Sequence, residues 1–174
     1  FYGQSLTNKL EKSLTHYVGA RIFLKYVKSP ENFGVAKITN NKIEKIIEKP
    51  KKFISSYAIT GLYFFDNRVV NYAKKLKPSK RGEIEITDIL NYYKNNKNLY
   101  HEHIGRGAVW SDAGKIEDMT NVSAFVQSVE KVQSIKIACL EEIALSKRWI
   151  NKKTILENIK FYGNCDYSNY LKNL

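Results

Sequence analysis

The chain has 174 residues, of which 43% are hydrophobic and 13% aromatic, with 3 Pro and 9 Gly; this size and composition support a folded core and exclude a disordered polar chain. No apolar run approaches the roughly 20 residues of a membrane span and no basic-then-apolar leader opens the sequence, so a cytoplasmic globular piece is expected. The 29 Lys and Arg against 17 Asp and Glu leave a net charge of +12, but the lysines are scattered without a block of like charge, which argues against a nucleic-acid binder; a basic surface equally suits any phosphorylated substrate or reflects no ligand at all.

In chain order, residues 20–27 (ARIFLKYV) are β-branched and aromatic and predict a strand. SPENFGV turns the chain, and VAKIT-NN-KIEKIIEKP predicts a hairpin about Asn40-Asn41. YAITGLYFFD reads as the most buried strand. Tyr17, Phe23 and Tyr26, and again Tyr57, Tyr63 and Phe65, alternate as core side chains do rather than as base-stacking platforms. After an Asp66-Asn67 cap signal the period becomes helical, with Val69, Val70, Ala73 and Leu76 on one stripe. A second helical segment carries Ile84, Ile86, Ile89, Leu90 and Tyr93. LYHEHIG and AVWSDAG read as further strands. Residues 115–133 form the longest helical pattern, striped by Ile116, Met119, Val122, Phe125, Val126 and Val129.

Beyond IKIACLEEIAL come three short helical stretches around Trp149, Ile155 and Tyr167 to Leu174, without another strand. The pattern predicts an α/β core over 1–134 and a helical appendix over 135–174. Cys139 and Cys165 form no C-x-x-C pair and are expected as free thiols. Residues 1–19 open on FYGQSL without Met and read as the continuation of something whose front part is missing.

Five places could carry chemistry. Glu48-Lys49-Pro50 fixes opposite charges on a restricted backbone, either as a solvated corner or as a holder of sugar hydroxyls and phosphate. Thr60-Gly61 interrupts an apolar strand, as a bulge or as a place of close ligand approach. Arg81, amid Glu83 and Glu85, is either a structural ion-pair partner or a held guanidinium ready for phosphate. Asp112 follows a short apolar strand, where open α/β sheets present ligand groups, and suits either Mg²⁺ or the capping of the next helix. His101 and His103 share a strand face; without a third ligand they read as a solvent-facing pair rather than a metal site. No nucleophile motif and no Gly-rich phosphate loop is present.

Taken in order, FYGQ, FGVAKI, IIEKP, SSYAITGLYFFDNRVV, LKPSKRGEIEITDIL, GRGAVWSDAG, FVQSVEKVQSIKIACLEEIA and YGNCDYSNYLKNL span essentially the whole chain. This ordered set resembles the C-terminal part of the bacterial glucose-1-phosphate thymidylyltransferases. The resemblance implies a partial Rossmann-like mixed sheet of the sugar nucleotidyltransferase fold with a C-terminal helical appendix. It also implies the synthesis of dTDP-glucose and pyrophosphate from dTTP and glucose 1-phosphate with Mg²⁺, in a homotetramer and without nucleic-acid or membrane partners. By the matching motifs, Gly34, Glu48, Lys49, Ile59, Tyr63 and Arg81 fall where the family holds glucose 1-phosphate. Lys49 and Arg81 would take the phosphate and Glu48 the sugar hydroxyls. Asp112 falls on one of two metal-binding aspartates, flanked by Ser111 and Ala113 where the family usually has Leu and Thr. Gly3, Arg106 and Glu142 match a second, regulatory nucleotide site. The family's Gly-Gly-x-Gly-Thr-Arg-Leu-x-Pro loop and its other metal aspartate have no match, so the chain alone is expected to be inactive. The alternative reading is a non-catalytic assembly or regulatory module of the same descent.

Overall fold

The computed structural model describes residues 1–3, 6–15 and 18–174, so Tyr17 lies outside the described residues. They group into two compact units, Phe1–Trp110 and Ser111–Leu174.

The first unit is built on five strands, β2 (Ala20–Tyr26), β3 (Gly34–Thr39), β4 (Lys42–Glu48), β5 (Tyr57–Phe65) and β6 (Leu99–His103), in the spatial order β4-β3-β5-β2-β6. All pairings are antiparallel except β2 with β6. This is the mixed α/β sheet expected. The hairpin forms as predicted, because Asn40 and Asn41 both adopt the left-handed conformation that its two-residue turn requires. A separate two-residue pair joins β1 (Tyr2–Gly3) to β7 (Ala108–Val109). The strand expected through AVWSDAG is therefore short, and Asp112 lies beyond it.

Side-chain alternation gives the sheet two apolar faces. Ile22, Leu24, Ala36, Ile46 and Ile59 pack on one face with Leu90 of α3 (Ile86–Asn95). Phe23 points to the other, with Ile104, Ala108, Leu62 and Phe64, and with Leu10 of α1 (Leu6–Leu14). Between these faces β5 carries extra residues: Ile22 pairs with Tyr63 and Leu24 with Ile59, so Thr60, Gly61 and Leu62 together face Phe23. Thr60-Gly61 is thus a bulge. The carbonyl it would orphan is satisfied, since the buried Thr60 hydroxyl donates to the Phe23 oxygen at 2.9 Å. Gly61 takes φ +81°, which a side chain would strain.

At the far end of β5, Asp66 ties three elements together. Its carboxylate accepts from the Gly19 amide at 2.7 Å, from the Arg68 guanidinium at 2.6 Å and from the Tyr93 hydroxyl at 2.8 Å. It also accepts from the Arg68 amide at the start of α2 (Arg68–Ala73), so Asp66 rather than Asn67 caps that helix. Of the predicted stripe, Val69 and Leu76 pack, together with Tyr72, around Ala20, Ile89 and Tyr93, whereas Ala73 is exposed. Val70 and Ile84 do not; both are exposed, because α2 lasts only 6 residues and α3 begins after Ile84.

The second unit contains α4 (Ile116–Gln133), α5 (Leu140–Ser146), α6 (Lys152–Tyr162) and α7 (Asp166–Leu171). Helix α4 has the predicted span, yet none of its residues is buried, and Ile116 and Met119 of the apolar stripe are exposed. Cys139, Ile155 and Leu171 form the core of the shorter helices, with Tyr167 and Tyr170 against them. Trp149, expected to centre a helix, lies exposed in the connection between α5 and α6. Buried Glu141 is satisfied by the hydroxyls of Tyr162, at 2.7 Å, and Tyr167. Both thiols are free, Cys139 buried and Cys165 exposed. Among the described residues no helix is long and apolar enough to cross a membrane.

The Asp66 junction makes a prediction. Its carboxyl is held far below the ordinary range, first by the Arg68 guanidinium, then by the Gly19 amide and the Tyr93 hydroxyl, against the opposing effect of burial. A depressed native pKa stabilises the fold fully above the unfolded value of about 4, and that stabilisation is lost as the pH falls toward the native value. Asp66→Asn should cost about 2–3 kcal/mol in urea unfolding at pH 7. The gap from wild type should narrow below pH ~4.

Candidate sugar-phosphate site

The site is built where the β3–β4 ladder ends. Gly34 pairs with Glu48 in register. A Cβ on Gly34 would lie 2.9 Å from Glu48 Oε2 and 3.2 Å from Thr87 Cγ2, so glycine here is set by close approach rather than by an unusual backbone angle. Lys49 follows with φ +39°, sparsely populated for a residue with a side chain, and its amide donates to the Phe33 carbonyl at 3.0 Å. The charged corner before Pro50 is thus a held conformation.

Arg81 is brought to Glu48 by a compact loop. The Ser79 amide donates to the Glu83 carbonyl at 2.8 Å and the Gly82 amide to the Ser79 carbonyl at 2.9 Å, with Gly82 in the left-handed region at φ +79°. The Arg81 guanidinium then lies 2.9 Å from Glu83, 3.3 Å from Glu85 and 4.0 Å from Glu48. Glu85 is buried and accepts from the Ser79 hydroxyl at 3.0 Å.

Beside these groups is a cavity of about 340 Å³ lined by Ile47, Glu48, Ser79, Arg81, Glu85 and Thr87 among others. This is the size of a small-ligand pocket. Its electrostatics are strained toward negative charge. Burial first, then the neighbouring Glu85, push the Glu48 carboxyl above its usual range, while Lys49 and Arg81 oppose them. Burial and the charge of Glu48 push the Tyr63 phenol up to about 12, which keeps it a hydrogen-bond donor at neutral pH. Ile59 lies on the other side of Gly34, its Cδ1 3.6 Å from the place a Gly34 Cβ would occupy.

Of the residues expected to hold the sugar phosphate, Glu48 and Arg81 line the cavity; Gly34 and Tyr63 lie near the Glu48 carboxylate, Ile59 lies beside Gly34, and Lys49 follows Glu48 in the chain. Two lining residues, Ser79 and Thr87, were not singled out in the sequence; the signal available was their position on either side of Arg81-Gly82-Glu83. Gly3 and Arg106 are together at another corner. Gly3 pairs with Ala108, and a Cβ on it would sit 2.5 Å from the Gly107 oxygen, one residue after Arg106. Lysine 25 fixes this turn by donating to the carbonyls of Gly105, at 3.0 Å, and Ala108, at 2.6 Å.

Asp112 and Glu142 belong to the second unit. Glu142 accepts from the Tyr170 hydroxyl at 2.6 Å. Asp112 is exposed and does not cap α4, whose N-cap is Lys115. Among the described residues there is no group of three or more His, Cys, Asp and Glu that could hold a metal. His101 and His103 do share a face, with ring centroids 5.1 Å apart, but they are half-buried rather than solvent-facing. His103 packs edge-on to Tyr57, and His101 Nε2 is 3.3 Å from the Asn41 carbonyl.

Comparison with known proteins gives the family. The glucose-1-phosphate thymidylyltransferases of Neisseria meningitidis and Neisseria gonorrhoeae are 42% and 43% identical over all of this chain, which covers 61% of each of them. That of Mycobacterium tuberculosis is 34% identical, with 60% of its length covered. The chain thus spans about three fifths of the length of the curated relatives it matches. A crystal structure from Bacillus anthracis, assigned as a glucose-1-phosphate thymidylyltransferase in complex with sucrose, superposes with a TM-score of 0.63 at 41% identity, over 72% of this chain and 50% of that one. The Nucleotidyl transferase family profile matches residues 1–129, which include every strand of the mixed sheet and the whole pocket, and the chain belongs to that family.

Proposed function

We propose that the chain is the sugar-phosphate-binding part of a glucose-1-phosphate thymidylyltransferase. The observation that carries this reading is the gathering of Gly34, Tyr63 and Arg81 about the Glu48 carboxylate, with Ile59 beside Gly34, where Glu48 and Arg81 line a cavity and Lys49 follows Glu48 in a strained conformation. Glu48 accepts sugar hydroxyls, as a half-buried carboxylate facing the pocket can. Lys49 and Arg81 take the anomeric phosphate, the guanidinium through its planar fork and the ammonium as a point charge. Gly34 and Ile59 shape the wall against the sugar ring.

In the full reaction an oxygen of that phosphate attacks the α-phosphorus of dTTP in line, and pyrophosphate leaves. The P–O bond to pyrophosphate breaks as the new one forms, and no covalent enzyme intermediate is involved. This chain's share is positioning of the attacking oxygen and neutralisation of its charge. Mg²⁺ would neutralise the triphosphate, and Asp112 would contribute one carboxylate to it. The remaining ligands would come from substrate phosphates and from groups outside this chain.

The 174 residues contain no glycine-rich loop to cradle a triphosphate. The chain alone is therefore inactive. Gly3, Arg106 and Glu142 serve a second nucleotide site, and residues 135–174 serve assembly of a cytoplasmic homotetramer. Within residues 135–174 the exposed Leu140, Trp149 and Phe161 favour an assembly role.

Two measurements test this. Calorimetric titration should detect glucose 1-phosphate binding to the wild-type chain, and Arg81→Ala should weaken it by at least tenfold, in line with ~1.5–3 kcal/mol for a charge-assisted hydrogen bond, while Lys49→Ala weakens it less. Equal affinity in wild type and Arg81→Ala would refute the site. Pyrophosphate release from dTTP, Mg²⁺ and glucose 1-phosphate should be undetectable with the chain alone; turnover comparable to that of a full-length relative would refute the proposed inactivity.

A further inference from the structure

The three carboxylates around Arg81 are not equivalent. Glu85, with a side chain only 11% exposed, holds Nη1 at 3.3 Å and is itself fixed by the Ser79 hydroxyl. Glu48 stands behind the same nitrogen at 4.0 Å and is 21% exposed. Glu83 holds the other nitrogen, Nη2, at 2.9 Å, and its side chain is 62% exposed. Among the described residues Arg81 is the one hydrogen-bonding partner of the Glu83 carboxylate.

We propose that Glu83 is an electrostatic gate on the pocket: its carboxylate occupies the edge of the Arg81 guanidinium that the substrate phosphate takes, and it swings into water when that phosphate binds. This rests on the sugar-phosphate reading of the pocket and adds the residue that sets how tightly the phosphate is held.

Physical chemistry singles out Glu83 as the group that yields. A guanidinium offers donors along a planar fork that fits a phosphate as well as a carboxylate. Displacing Glu85 would leave a buried carboxylate without its cation, which is costly. Displacing Glu83 breaks an exposed ion pair of little worth and returns the carboxylate to water. The two anions cannot share Nη2, and a phosphate placed beside an unmoved Glu83 would be repelled by it. Glu83 also screens Arg81 from solvent anions, since an ion that gains nothing from Glu48 and Lys49 has less to offset the displacement. Glu85 acts in the opposite sense, as the positioning residue that keeps the guanidinium aimed at the cavity.

The two acids should therefore respond with opposite signs. The test is calorimetric titration of the full chain with glucose 1-phosphate, and separately with inorganic phosphate and with glucose, in wild type, Glu83→Gln, Glu83→Ala, Glu85→Gln and Arg81→Ala, with thermal melting to confirm folding. Both Glu83 variants should bind the two phosphates roughly three- to tenfold more tightly and leave glucose unchanged. Glu85→Gln should weaken glucose 1-phosphate binding. If Arg81→Ala abolishes binding while both Glu83 variants bind like wild type or more weakly, the gate is overturned and the pocket reading stands. If Arg81→Ala binds like wild type, or wild type binds no glucose 1-phosphate, the pocket reading fails and the gate with it.

Discussion

The hydrogen bond from Thr60 to the Phe23 carbonyl permits the rest of the first unit. Strand β5 must insert residues opposite β2, and an insertion of one would turn every following side chain to the wrong face. Two extra residues keep the phase. Tyr57, Ile59, Tyr63 and Phe65 accordingly remain together against Ile22 and Leu24, while Leu62 and Phe64 stay with Phe23. The insertion leaves a carbonyl without its ladder partner in a buried place, and the Thr60 hydroxyl supplies one. Gly61 supplies the backbone angle. Ile59 lies on one side of the bulge and Tyr63 on the other, both on the sheet face where Gly34 and Glu48 end their ladder.

The pocket grows out of that phase. Gly34 leaves room for the Glu48 carboxylate, the strained Lys49 turns the chain at Pro50, and the loop through Gly82 returns Arg81 to the same corner. These devices are local, and they put opposite charges together in a half-buried place where like charges also crowd. Burial first, and then the crowding, push Glu48 up, and Arg81 has more acceptors than a structural ion pair needs. A site arranged this way is suited to exchanging one anion for another, which is what binding a sugar phosphate requires.

Much of this could be read from the residues. The asparagine turn fixed the hairpin, alternation marked the strands, and the spacing in residues 115–133 marked α4, because each signal acts over a few neighbouring residues. Thr60-Gly61 was visible as an interruption, but its nature depended on the register of β2, which is set across the sheet. The same is true of AVWSDAG: a strand-like composition yields only Ala108–Val109 because its partner is the short Tyr2–Gly3. Val70, Ile84 and Ile116 show the limit of periodicity, which marks an apolar stripe without saying what covers it. Asp66 was recognised as a cap signal, while its ties to Gly19 and Tyr93, 47 and 27 residues away, have no local signature. Within the pocket, Glu48 and Arg81 were legible as candidates through their unusual neighbours; Ser79 and Thr87 were not, being ordinary residues made relevant by the loop between them.

The most direct measurement is a crystal structure of the chain soaked with glucose 1-phosphate. The account predicts the phosphate on Arg81 and Lys49, within hydrogen-bonding reach, with sugar hydroxyls on Glu48 and the ring against Gly34 and Ile59. A phosphate bound at another surface, or a sugar ring that leaves Glu48 untouched, would contradict it.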